Sequence, residues 1–214
     1  MSILRNVKLL LGLSLLGSSV VCKAEEFPAD MLQERAPMMA QYYSGCKSLN
    51  QYIATRQVEA LEEALYKMNP KRMDVSIFEP DSTEGTSNLC EMTGHFMYDY
   101  EYALALYEDR ELPKEIGLQR AGGECKVSLI ALNPMSSIVY RVSAMDDMEM
   151  MTICEPGSIV TLSAKECTTG TVHEGKLYDN DTVCHASWTM DEDTIEISIT
   201  NKSGHATSLA FLIN

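Results

Sequence analysis

Tyrosines and acidic residues are concentrated between residues 98 and 109: Tyr98, Tyr100, Tyr102 and Tyr107, with Asp99, Glu101, Glu108 and Asp109. A tyrosine ring combines a large apolar area with a polar hydroxyl, and it is enriched where proteins bind one another. A helix of 3.6 residues per turn cannot turn all these side chains towards one core, so part of this surface must be exposed. We therefore predict a protein-binding surface at Tyr98, Asp99, Tyr100, Glu101 and Tyr102. The alternative is that the tyrosines pack this helix against the rest of the protein.

Local motifs for catalysis are missing from the sequence. It contains no G-x-S-x-G, the turn that presents a nucleophilic serine. The four histidines, His95, His173, His185 and His205, do not have the H-x-H, H-x-x-x-H or H-E-x-x-H spacing of a local metal site. We therefore predict a non-enzymatic protein without catalytic residues, metal or cofactor. A hydrolase remains the alternative, because a site assembled from distant residues, such as two carboxylates, leaves no local motif.

Four methionines near residue 150 suggest a second alternative, copper binding. Thioether sulfur is a soft ligand that suits Cu(I), so this segment is a candidate copper-binding loop. In a strand, however, alternate side chains point to opposite faces, and methionine is also an ordinary core residue. Core packing is therefore the favoured interpretation of Met145, Met148, Met150 and Met151.

Six cysteines follow Cys22, and none of them is spaced as C-x-x-C. The absence of that spacing argues against a zinc knuckle or a thioredoxin-like redox site. In an oxidising compartment an even number of cysteines favours up to three disulfides, with 15 connectivities open. The cysteines predicted to form disulfides are Cys46, Cys90, Cys125, Cys154, Cys167 and Cys184.

The amino-terminal residues have the layout of a secretory signal peptide. A start with Arg5 and Lys8 precedes an apolar run at residues 9–21, and the small residue Ala24 follows. The run is shorter than the roughly 20 residues that span a bilayer. We predict cleavage after Ala24 and a secreted or periplasmic protein with no membrane span. Lipidation of Cys22 is disfavoured, because a valine precedes it where lipoprotein sites have a small residue.

The chain is acidic, with 17 basic and 31 acidic side chains and a formal net charge of −14. The predicted signal peptide contains three of the bases and none of the acids, so the mature chain is more acidic still. Such a charge argues against binding to nucleic acid or to an anionic membrane. It favours either a basic protein partner or solubility alone.

The periodicity of apolar residues changes near residue 120. Before that point it is helical, with helices predicted at residues 48–68, where Pro70 follows, and at residues 87–110. After that point apolar and polar residues alternate, as in strands with one buried face. Strands are predicted at residues 126–132, 138–143, 148–154, 158–163, 182–189, 194–200 and 207–213.

About seven short strands separated by turns are typical of an antiparallel β-sandwich. We predict an α+β protein with a signal peptide at residues 1–24, a helical region at 25–120 and a β-sandwich of immunoglobulin-like architecture at 121–214. Cys154 and Cys184 fall in predicted strands, where they could join the two sheets around Trp188.

Overall fold

The computed structural model describes residues 25–89, 97–113 and 123–214. The predicted signal peptide, Cys90 and His95 lie outside the described residues. The described residues form an α+β protein. Its helices are α1 (Ala29–Arg35), α2 (Pro37–Thr55), α3 (Val58–Met68) and α4 (Tyr100–Tyr107), with a 3₁₀ turn at Thr86–Asn88. Its strands are β1 (Val75–Ile77), β2 (Ser82–Glu84), β3 (Cys125–Leu132), β4 (Ser137–Cys154), β5 (Val160–Glu166), β6 (Val172–Glu174), β7 (Lys176–Tyr178), β8 (Val183–Asn201) and β9 (Thr207–Ile213).

The strands pair in one mixed sheet of nine strands in the order β1-β3-β9-β4-β8-β5-β6, with β2 paired to β4 and β7 to β8. The pair β1 and β3 is parallel, and the other pairs are antiparallel. The predicted arrangement of two separate sheets in an immunoglobulin-like sandwich is not confirmed, because backbone pairing runs through a single sheet.

The two longest strands, β4 and β8, each join two segments that the sequence predicts as separate. They pair along most of their length, with a register shift between Ala144 and Asp146. Asp146 has a φ of 65°, in the left-handed region that aspartate tolerates better than most residues. The acidic residues at this point therefore form a bend within continuous strands, and not the turns that their composition predicts.

The helices cover one face of the sheet and form a first core with it. Leu32 of α1, Leu49 of α2 and Leu61 of α3 are fully buried in this core together with Met151 and Leu212 of the sheet. The helical region and the strands after residue 123 thus share one apolar interior.

A second core lies on the other face of the sheet. Here the ring of Tyr140 on β4 stacks on Phe211 of β9 with 6.1 Å between ring centroids, and Phe78 packs edge-on against both. Trp188 is buried in the same core. Both faces of the sheet are therefore apolar where the long strands cross the molecule.

The helical prediction for residues 48–68 is wrong in its bounds, because two helices occupy this region and α2 begins at Pro37. Arg56 ends α2 with a left-handed φ of 60°. In the second predicted helix, residues 87–110, only Tyr100–Tyr107 is an α-helix within the described residues. None of the helices at residues 25–89, 97–113 and 123–214 is long and apolar enough to cross a membrane.

The five described cysteines are free thiols, so the predicted disulfides among them are not confirmed. Cys154 and Cys184 lie on the neighbouring strands β4 and β8, where Thr152 and not Cys154 is opposite Cys184. The prediction that these two cysteines join separate sheets is therefore wrong. Cys46 and Cys125 are buried as well, whereas Cys167 is exposed.

Candidate functional site

Two of the five predicted binding residues are buried. Tyr98 is 1% exposed, and its hydroxyl donates to the carbonyl oxygen of Cys154 at 2.7 Å. Asp99, at 2% exposure, immediately precedes α4, and its carbonyl oxygen accepts from the backbone amide of Ala103. The start of α4 therefore docks into the interior, and the side chains of Tyr98 and Asp99 are not exposed as the predicted binding surface requires.

The other three predicted residues lie on α4 and are half-buried. Tyr100 points along the same side of the helix as Tyr107, which is 49% exposed and two turns further on. Tyr102 lies near Arg56 and Glu155 instead, and burial is the main cause that raises its pKa. The tyrosines of α4 are thus divided between two sides of the helix.

Helix α3 contributes residues that the sequence prediction missed. Tyr66 is 60% exposed, and the guanidinium carbon of Arg72 lies 4.3 Å from its ring centroid. One turn before Tyr66, Glu62 accepts a long hydrogen bond of 3.5 Å from the hydroxyl of Tyr107. We use the name tyrosine surface for Glu62, Tyr66, Tyr100, Glu101 and Tyr107. Tyr66 lies outside the apolar stripe of α3, and its exposure could have been predicted from that position in the sequence pattern.

The tyrosine surface has a negative electrostatic character. Partial burial raises the pKa of Tyr100, and the charges of Glu101 and Glu108 raise it further. Arg110 pairs with both of these glutamates, at 2.9 Å and 2.7 Å. Arg110 follows α4, and Arg72 lies against the ring of Tyr66. Three carboxylates, Glu62, Glu101 and Glu108, thus lie in or beside the tyrosine surface with these two guanidinium groups, which leaves a small excess of negative charge.

A separate cleft of about 540 Å³ opens between α2 and two turns of the sheet. The turns are residues 155–159, between β4 and β5, and residues 179–182, between β7 and β8. Helix α2 presents one face to the cleft, since the lining residues recur every three or four positions along it. They are Tyr43, Lys47, Asn50, Gln51 and Ala54.

At the base of the cleft, Asp179 binds the helix to the amino-terminal segment. One carboxylate oxygen accepts from the Tyr43 hydroxyl, and the other accepts from the backbone amide of Phe27 at 3.0 Å. Burial, the hydrogen bond to Asp179 and the charge of Glu26 together raise the pKa of Tyr43 far above its ordinary value. Lys47 pairs with Glu26 at 2.6 Å.

The turn at one side of the cleft has an unusual backbone. Asp179, Asn180 and Asp181 have φ values of 51°, 56° and 67°, all in the left-handed region. Asparagine and aspartate enter this region more readily than other residues with a side chain. The composition of this turn therefore permits the conformation that brings Asp179 to Tyr43.

A buried carboxylate, Glu149, contacts a histidine, a serine and an arginine. His185 Nε2 lies 2.7 Å from it, the Ser187 hydroxyl donates to it at 2.8 Å, and Arg35 Nε lies 3.1 Å away. In a nucleophilic triad the histidine stands between the serine and the acid. Here the acid stands between the two, so the cluster attaches α1 to the sheet and does not activate Ser187.

The other two described histidines, His173 and His205, each hydrogen-bond one polar side chain, Glu166 and Ser158 respectively. Ser158 Oγ lies 3.1 Å from His205 Nε2, but Ser158 is 1% exposed and does not line the cleft. The ring of His173 stacks on Trp188 with 4.6 Å between centroids. Within the described residues no group of three or more histidine, cysteine or acidic side chains is placed to hold a metal ion.

The methionines near residue 150 lie in a strand, so the copper-binding loop is wrong. Met148 and Met150 belong to the second core, whereas Met151 belongs to the first. Only Met145 of the four is exposed. The favoured interpretation of core packing is confirmed for the three buried residues.

No protein-family model matches the chain, and no curated protein matches it. Solved structures with some similarity include the pre-peptidase C-terminal domain of a collagenase from Bacillus anthracis, at 10% identity over 41% of this chain and 88% of that chain (TM-score 0.34). A periplasmic inhibitor of g-type lysozyme from Salmonella Typhimurium matches at 8% identity over 45% of this chain and 91% of that chain (TM-score 0.33). A variant of a family 29 carbohydrate-binding module matches at 12% identity over 42% of this chain and 74% of that chain (TM-score 0.29). At these TM-scores the similarity carries no inference about function.

Proposed function

We propose that the protein is a non-enzymatic binding protein that recognises a basic surface of another protein through its tyrosine surface. The observation that carries this proposal is the exposure of Tyr66 and Tyr107, on neighbouring helices and connected by Glu62. Exposed tyrosine rings are enriched in the centres of protein interfaces, where they contribute a large share of the binding energy.

The charge of the chain supports a basic partner. The formal net charge is −14, and three carboxylates, Glu62, Glu101 and Glu108, lie in or beside the tyrosine surface with two guanidinium groups, Arg72 and Arg110. An electronegative patch steers a basic protein towards it and speeds association, an effect that salt weakens. Binding through this surface should therefore be strong at low ionic strength and weak at high ionic strength.

We also propose that the protein works in the compartment to which its amino-terminal segment directs it, outside the cytoplasm. The support is the signal-peptide layout of residues 1–24. Amino-terminal sequencing of the exported protein should begin at Glu25. A mature chain that still carries residues 1–24 would contradict this part of the proposal.

Capture of partners by the immobilised protein tests the binding function. Proteins from the same compartment are applied to the wild type, to a Tyr66→Ser/Tyr107→Ser variant and to a Met135→Ser/Val172→Ser control. The control changes two exposed apolar side chains, one in the turn between β3 and β4 and one at the start of β6. We expect the wild type and the control to retain a basic protein at low salt and to release it at high salt.

Removing two interface aromatics should weaken that binding by at least about tenfold, since a single such residue often contributes 1 to 2 kcal/mol or more. Equal capture by the tyrosine variant and the wild type would contradict the proposal, as would the absence of any salt-sensitive partner.

A further inference from the structure

The cleft between α2 and the turns of the sheet contains the features of a cation site. Two carboxylates, Glu26 and Asp179, line it together with Tyr43, and because both oxygens of Asp179 already accept hydrogen bonds from Tyr43 and Phe27, Glu26 is the carboxylate for a ligand cation. Lys47 is the one lysine or arginine among its described lining residues. The raised pKa of Tyr43, caused by burial first and by these two acids next, agrees with a negative potential at the base.

The rest of the lining suits an apolar chain. Ala54, Ile153 and Val183 are aliphatic residues of the cleft, and Pro156 adds an apolar ring at the rim. Lysine, arginine and alkylamines lay their methylene groups along such surfaces while the charged head group finds an acid. A volume of about 540 Å³ is within the range of pockets that hold small ligands.

The chain already places one of its own ammonium groups at this position. Lys47 Nζ lies 2.6 Å from a carboxylate oxygen of Glu26 and 5.9 Å from the ring centroid of Tyr43. The two side chains of the ion pair are 50% and 77% exposed. Exposed ion pairs are weak, so another cation can displace Lys47 at little expense.

We propose that this cleft binds a primary ammonium or guanidinium group on an apolar stem, and that Lys47 occupies the cation position when no ligand is present. The group has two sources with the same chemistry, a lysine or arginine side chain of a protein and a free alkylamine. The site is distinct from the tyrosine surface, which lies on α3 and α4.

Calorimetric titration of the purified protein with three small probes tests this site. Nα-acetyl-lysine methylamide represents a protein side chain, 1,5-diaminopentane represents a free amine, and Nα-acetyl-norleucine methylamide has the stem without the charge. We expect the two cations to bind and the norleucine probe to bind much more weakly. Tighter binding of the lysine probe than of the diamine would identify a protein side chain as the source, and the reverse order a free amine.

Substitutions of residues that line the cleft distinguish binding in the cleft from a general attraction of cations to the acidic surface. Lys47→Met should bind the cationic probes about three- to fivefold more tightly, because the competing ammonium is gone. Adding Glu26→Gln to that variant should weaken its binding of the cationic probes by a similar factor. The matched control is Lys176→Met, since Lys176 also pairs with a glutamate, Glu25, and lies 4.9 Å from the Tyr178 ring centroid, but does not line the cleft.

Equal affinity of the wild type and Lys47→Met for the cationic probes would overturn the proposal. So would equal binding of the norleucine probe, the same gain in Lys176→Met, or no binding of any probe to either protein. None of these measurements uses a protein partner, so a failure here is distinct from a failure of the proposed protein-binding function.

Discussion

Glu149 is a carboxylate almost without contact with water, at 1% exposure. It is stable there because Arg35, His185 and Ser187 all direct donors towards it. A buried charge that keeps its partners is tolerated, whereas the partners are left unpaired when the charge is removed. This residue therefore determines how firmly α1 is held on the sheet.

We expect Glu149→Ala to lower the free energy of unfolding by about 3 kcal/mol, the usual loss when one member of a buried charged group is removed. Urea denaturation followed by circular dichroism measures the change. The control is Glu84→Ala, which removes an exposed carboxylate 3.6 Å from Arg141 and should change stability by less than about 0.5 kcal/mol. Similar losses in the two variants would contradict a structural role for Glu149.

Buried thiols make the protein sensitive to alkaline pH. Burial raises the pKa of Cys125 and of Cys154 from 9.0 to about 12, and that of Cys184 to about 11. A thiol whose pKa is higher in the folded state ionises at a lower pH in the unfolded state. Its contribution to the free energy of unfolding is therefore complete below pH 9.0 and is lost as the pH rises through 11 to 12.

The urea midpoint should therefore fall as the pH is raised from 9.0 towards 11, because the thiols ionise in the unfolded state but stay protonated in the folded state. Replacing Cys125 and Cys154 by alanine should reduce the slope of this decline. A midpoint that stays constant over that range would show that these cysteines are not buried thiols.

At the scale of elements, the break between α2 and α3 depends on one residue. Arg56 has a φ of 60° and a ψ of 21°, the left-handed conformation in which helices often end with glycine. The sequence shows apolar residues at helical spacing on both sides of this point, and no glycine or proline interrupts them. Periodicity therefore predicted one helix, because the backbone of Arg56 leaves no compositional signal.

We expect Arg56→Gly to have a free energy of unfolding about 0.5 to 1 kcal/mol higher than that of Arg56→Ala, since glycine adopts this conformation without strain. Arg56→Ala is the matched control, because both variants lose the contact of the guanidinium with the Tyr52 ring and alanine alone keeps the strain. Thermal unfolding of both variants measures the difference. A glycine variant no more stable than the alanine variant would contradict this explanation of the break.

Strands with clear alternation were predicted well, as residues 194–200 of β8 show, where buried isoleucines alternate with half-buried polar residues. Strands of three residues, such as β1 and β7, are too short for alternation to be visible. The bend in β4 and β8 was predicted as turns, because aspartates are typical of turns and the sequence does not reveal that both strands continue in register. Composition thus identified where the chain bends but not whether pairing stops there.

At the scale of the whole molecule, the sequence predicted the class and not the arrangement of the sheet. The order β3-β9-β4-β8 joins strands that are far apart in the chain, and residue alternation carries no information on which strands pair. The same limit applies to the site. The tyrosine surface combines α3 with α4, and the cleft combines α2 with two turns and the amino-terminal segment.

The charge of the molecule connects these parts with the proposed function. An acidic protein with exposed tyrosines on one side and an acid-lined cleft between α2 and the sheet presents two electronegative surfaces. A basic protein would be attracted to both, and long-range attraction adds to its association rate. In the proposed function, specific binding depends on the contacts that Tyr66 and Tyr107 would make with the partner.

The most direct test of the central claim is photo-cross-linking at the tyrosine surface. A photoreactive phenylalanine derivative replaces Tyr107 in one protein and Met135, which is 70% exposed in the turn between β3 and β4, in another. Both proteins are irradiated with the exported proteins of the same compartment. We expect one basic partner to be cross-linked at position 107 and not at position 135, with a yield that falls at high salt. Cross-linking of the same partner at position 135 alone, or of no partner at position 107, would contradict the assignment of the tyrosine surface as the binding site.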